Sequence, residues 1–111
     1  MASPQLENGY LKISTELFKE IYYRITNPTH IRIILFVIRF TYGYKRKEFD
    51  TNLSSIGTTL RLSTEYCRDM LYDLSDKCRI LKIKWKTPQT LTIELVKDYD
   101  KWQTEGATRS T

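Results

Sequence analysis

The chain reads as a mainly α domain with a small β-hairpin, a winged helix-turn-helix, and three observations carry that reading. Leu53, Ile56 and Leu60 recur at i, i+3 and i+7, while Cys67, Met70, Leu71 and Leu74 recur at i, i+3, i+4 and i+7. Two short helices with one apolar stripe each therefore flank a tight turn. Directly afterwards Leu81, Ile83 and Trp85 alternate with Lys82, Lys84 and Lys86, and Leu91, Ile93 and Leu95 alternate with Thr92 and Glu94. That period of two belongs to paired strands. Upstream, Asn8-Gly9 and Asn27-Pro28 punctuate two further helical segments.

With 111 residues, 41% of them hydrophobic and 13% aromatic, the chain can bury one modest core and not two. Residues 1–8 lack a pattern and are expected as a flexible arm, 9–102 as the folded domain, and 103–111 as a disordered tail or truncated linker. In the first helix Ile13, Leu17, Phe18, Ile21 and Tyr22 trace one face, Ser14 or Thr15 can cap it, and Glu16 suits its positive end. Pro28 suits the first turn of the second helix, which should run to about Tyr42 and stop at Gly43. The residues from Ile31 to Phe40 also have strand propensity. The cap and the seven-residue spacing of Arg32 and Arg39, which sets both within about 20° on one narrow stripe, decide for a helix. Its remaining surface is apolar enough for a central core helix or, in part, a dimer interface. Lys45, Arg46 and Lys47 then form a charge run, a solvated loop or a grip on phosphate.

The helix-turn-helix stretch is taken from Asp50 to Arg79. Ser63 is a natural N-cap, Leu62 can plug the corner, and Gly57 sits where close approach is needed. Arg61 occupies the turn, where a Cβ is uncomfortable. Thr87-Pro88-Gln89-Thr90 supplies the hairpin turn, and Val96 to Trp102 a closing turn that folds Tyr99 and Trp102 onto the core.

The formal net charge is +5, and twelve of the eighteen bases but six of the thirteen acids lie between Pro28 and Lys86. An excess so placed favours a polyanionic partner. Cys67 and Cys78 are too few and too far apart for zinc and read as reduced thiols. The apolar run from Ile33 to Ile38 falls far short of the roughly 20 residues a membrane span needs. The expectation is a soluble protein without membrane attachment. His30 has no acid or cysteine at motif spacing and no Gly-rich phosphate loop occurs, so no enzyme, metal or cofactor is expected.

With those residues in hand, the chain resembles the N-terminal domain of the bacteriophage replication protein O family over about Asn8 to Ile83. Asn8-Gly9-Tyr10, Arg39-Phe40-Thr41-Tyr42-Gly43-Tyr44 with its basic run, and the Leu62-Ser63 helix-turn-helix carry the resemblance. It implies a winged helix that binds double-stranded DNA repeats at a phage origin, in the bacterial host cytoplasm. It also implies a parent protein whose further C-terminal part recruits the host helicase or its loader. Repeated sites invite a homodimer. The expected DNA-binding residues are Ser63, Thr64, Glu65, Arg68 and Tyr72 on the reading helix, Arg61 in the turn, Lys45, Arg46 and Lys47, and the hairpin lysines Lys82, Lys84 and Lys86. A protein-interaction winged helix is the alternative, because Glu65, Asp69 and Asp76 outnumber Arg68 on the reading face.

Overall fold

The computed structural model describes residues 11–103, so the arm at 1–8, the Asn8-Gly9-Tyr10 turn and residues 104–111 lie outside the described residues. Helices and strands follow as α1 (Thr15–Arg24), α2 (Pro28–Thr41), β1 (Glu48–Asn52), α3 (Leu53–Leu60), α4 (Thr64–Tyr72), β2 (Leu81–Trp85) and β3 (Thr90–Leu95). Each helix starts on a side-chain cap. Ser14 accepts the Leu17 N–H, Asn27 those of Thr29 and His30, Asn52 that of Ser55 and Ser63 that of Tyr66. Every such cap stabilises its helix by about 1 kcal/mol.

α2 is the central core helix. Ile33, Ile34, Val37 and Ile38 are sealed from solvent, and the exposed stripe is Arg32, Leu35 and Arg39. Its apolar surface is thus spent inside the fold, with Leu35 at 48% exposure as the large apolar residue it leaves outside. α2 ends at Thr41 with Tyr42 as its cap, about where expected, but Gly43 is not the cause. The chain tightens into a 3₁₀ turn over Tyr42–Tyr44, and Lys45 takes the left-handed conformation at φ 55°. A Cβ on Gly43 would meet Leu11 and Arg39 at ordinary contact distance, so no steric demand for glycine ends the helix there.

The expected two-stranded hairpin is one strand larger. β1 joins β3 antiparallel to give a sheet ordered β1-β3-β2, with Phe49 opposite Ile93, Ile93 opposite Ile83, and Leu91 opposite Trp85. β1 runs into α3 without a loop, and the Leu53 N–H donates to the Gln89 carbonyl at 2.9 Å, so the start of α3 is tied to the hairpin tip. The face carrying Phe49, Leu81, Leu91, Ile93 and Leu95 closes onto α2, α3 and α4 around Leu53, Ile56, Cys67, Leu71 and Leu74. In the first helix Leu17 and Ile21 are buried as expected, whereas Phe18 and Tyr22 stand 54% and 62% exposed and pack edge-to-face on each other.

Past α4 the chain widens into a π turn over Asp73–Lys77, and Arg79 at φ 56° redirects it into β2. A 3₁₀ turn at Tyr99–Lys101 then returns Trp102 to the core, as expected. Arg24 fastens this segment. Its guanidinium is buried, donates to the carbonyls of Tyr99 at 2.8 Å and Trp102 at 2.9 Å, and lies 5.5 Å from the Trp102 ring centroid.

Candidate nucleic-acid interface

α3 and α4 meet at a turn that holds Arg61 left-handed at φ 60°, ψ 48°, the strained residue expected there. What Gly57 accommodates is the turn and not the facing helix. A Cβ would lie 2.6 Å from the Leu62 carbonyl oxygen, with Cys67 Sγ next at 3.8 Å. The turn therefore folds over Gly57, with the Leu62 N–H on the Gly57 carbonyl at 2.9 Å.

This packing leaves one face of α4 in solvent. Thr64, Glu65, Tyr66, Asp69 and Tyr72 are exposed and Arg68 is half-buried, while Cys67 and Leu71 point inward. Ser63 is occupied as the cap. Tyr72 stacks on Trp85 with ring centroids 5.5 Å apart, which joins the end of α4 to β2. The hydroxyl residues Ser54, Ser55, Thr58 and Thr59 of α3 are exposed beside it. A residue that sequence reasoning passed over joins the group: Arg32 of α2 reaches the Leu60 carbonyl at the turn, beside Arg61. Only its stripe position was readable, since nothing local says that the start of α2 meets the helix-turn-helix. Thr29 and Tyr66 confirm that meeting, their hydroxyl oxygens 3.4 Å apart. Arg32, Arg61 and Arg68 thus set three cations against Glu65 and Asp69 around α4.

The other expected contacts lie elsewhere. Lys82, Lys84 and Lys86 leave the sheet on the face turned away from the helices, because Leu81 and Trp85 face inward on the same strand. That outer face also carries acids. Lys82 sits opposite Glu94, and Lys86 Nζ is 3.0 Å from Asp50. The Thr92 hydroxyl at 2.6 Å and then Lys86 hold the Asp50 carboxyl below the usual carboxylate range. The turn between the strands is compact, with Thr87 Oγ1 accepting the Gln89 and Thr90 N–H groups. Lys45, Arg46 and Lys47 follow the other end of α2, whose 14 residues span about 20 Å. His30 is packed against Asp73, its Nε2 3.8 Å from the carboxylate, between α2 and the π turn.

One test follows from this placement. Replacing Lys82, Lys84 and Lys86 together with alanine is expected to lower the slope of log affinity against log salt by no more than about 0.9, the share of one phosphate. β2 is an edge strand, where lysines guard against pairing with another chain. A fall near the roughly 2.7 of three freed counterions would show the hairpin to be the backbone contact that the sequence leads one to expect.

A helix-turn-helix with one open face on its second helix, backed by a three-stranded antiparallel sheet, defines a winged-helix domain. The chain belongs to the bacteriophage replication protein O family, whose model matches residues 3–102 and so extends beyond the expected Asn8 to Ile83. Its role is therefore in phage replication. No curated protein and no solved structure matches the chain. No helix among the described residues is long and apolar enough to cross a membrane.

Proposed function

We propose that this chain is the duplex-DNA-binding domain of a phage replication initiator or helicase-loading protein, acting at origin repeats in the host cytoplasm. The observation that carries the reading is the open face of α4 with Arg32, Arg61 and Arg68 around it. Helices of this kind enter the major groove with their first turns toward base edges. Thr64, Glu65, Arg68 and Tyr72 are the reading residues, with Ser63 fixing the start of the helix. Arginine pairs with guanine and glutamate accepts from the cytosine amino group, so the acid on this face selects sequence while Arg32 and Arg61 hold phosphates. Recruitment of the host helicase or its loader is the further role that the family resemblance implies. A homodimer, which the sequence pattern sets on α2, would instead have to use exposed apolar surface such as Phe18, Tyr22 and Tyr23 on α1, since the apolar surface of α2 is largely buried.

Glu65 and Asp69 also support the second reading, a protein-interaction module, because they repel phosphates. Titration of labelled origin duplex separates the two. Arg68→Ala should cost about 1–3 kcal/mol on the specific site and flatten the preference over unrelated duplex. The parent slope of log affinity against log salt should reach at least about −1.8, two phosphates' worth. Folded protein that binds no duplex at low salt sinks the duplex reading, and a monomeric mass by light scattering with and without DNA removes the dimer.

A further inference from the structure

At the far end of α2 from the helix-turn-helix, Lys12, Lys45, Arg46, Lys47 and Lys97 surround a groove of about 670 Å³ whose lining, among the described residues, includes no acid. The fold uses part of this charge. Arg46 Nε donates to the Phe40 carbonyl at 2.6 Å, and Lys47 lies 3.6 Å from Glu94. Lys12, Lys45 and Lys97 hold no ion pair among the described residues, and Lys97 Nζ stands 5.3 Å from the Tyr42 ring centroid on the groove wall. Like charges gathered in a concavity repel one another and focus a positive potential that an anionic chain relieves.

Next to the groove in sequence, Tyr44 is 55% exposed. Its ring lies within 12° of parallel to Phe40 at 6.0 Å, and the Arg39 and Arg46 guanidiniums sit 5.8 and 5.0 Å from its centroid. A ring so backed is already ordered, and stacking a base on the part of it that stays exposed costs little further entropy. Bases in a duplex are stacked on each other, whereas a single strand offers its faces. We propose that this groove and Tyr44 form a second nucleic-acid site, one that takes single-stranded DNA. Lys12, Lys45 and Lys97 hold its phosphates and Tyr44 holds a base. The site does not depend on α4 reading a duplex, since the length of α2, about 20 Å, separates the two.

The test is fluorescence anisotropy of the full chain at low salt with two probes, a labelled oligothymidylate and a fully paired hairpin duplex. The parent should bind the oligothymidylate. Combined Lys12→Gln and Lys97→Gln should weaken it by roughly fivefold or more, and move duplex affinity by less than about twofold. Tyr44→Ala should weaken oligothymidylate at least about fivefold, with Tyr44→Phe retaining it, and Arg68→Ala should leave it unchanged. All these side chains are exposed apart from half-buried Arg68, and circular dichroism checks that each variant is folded. No oligothymidylate binding by the parent, full binding by Tyr44→Ala, or equal loss of both probes in the lysine variant overturns the proposal. Failure of duplex binding alone overturns the reading of α4 and leaves this site supported.

Discussion

Gly57→Val is expected to destabilise the domain by about 3 kcal/mol or more, at the top of the range for overpacking, and to abolish duplex binding with it. The reason is local. The first carbon added already stands 2.6 Å from the Leu62 carbonyl oxygen, and that oxygen belongs to backbone, not to a side chain that can swing aside. Moving it means opening the turn, which breaks the Leu62 N–H bond to the Gly57 carbonyl and disturbs Arg61, already left-handed. Valine adds two methyl groups to a space bounded also by Cys67 Sγ and enters a helix as a β-branched residue. Gly57→Ala should cost less, since alanine recovers about 1 kcal/mol of helix propensity against the same first clash. Urea denaturation measures both. A valine variant within about 1 kcal/mol of the parent would show that the turn yields, and that Gly57 does not set the angle between α3 and α4.

The elements that announce themselves locally were legible in the sequence. Ser14, Pro28 and Ser63 mark helix starts by their own chemistry, and the alternation from Leu81 to Leu95 marks two strands regardless of what they pack against. β1 was not legible. Its five residues bury Phe49 alone, too few to display a period of two, and its partner β3 lies some forty residues further on. Phe18 and Tyr22 misled for a related reason. They lie beside the stripe of Leu17, Ile21 and Arg24 that meets the core, and a helical period cannot say how wide the contact is. The candidate site divided along the same line. The open face of α4 followed from its own spacing, but its company did not. That Arg32 would arrive at the turn, that the hairpin lysines would share their face with Asp50 and Glu94, and that Lys45 to Lys47 would sit about a helix length away all depend on tertiary arrangement.

Arg24 shows the same limit most sharply, for in the sequence it is one of three bases that cancel three acids before Pro28, and in the fold it is a buried clasp. Arg24→Met is expected to cost about 3 kcal/mol, the range of one to two hydrogen bonds from a charged donor. Methionine keeps an unbranched stem to lie against Trp102 but offers nothing to the Tyr99 and Trp102 carbonyls, which now receive bonds at 2.8 and 2.9 Å. The Glu20 partner contributes less. That carboxylate side chain is 21% exposed and 3.2 Å from Arg24, so Glu20→Gln should change stability by no more than about 1 kcal/mol. The loss should be felt along the closing segment and then at the reading helix. Trp102 Nε1 donates to the Val96 carbonyl at 2.7 Å, and the Gln103 N–H donates to the Cys78 carbonyl, where the π turn after α4 ends. Loosening Trp102 therefore loosens the C-terminal support of α4. Hydrogen exchange of the Trp102 indole and the Gln103 amide should accelerate in Arg24→Met ahead of global unfolding, with α1 still helical. Exchange unchanged from the parent, and a stability loss under about 1 kcal/mol, would mean that Trp102 is held by its own burial and that Arg24 only fills the space beside it.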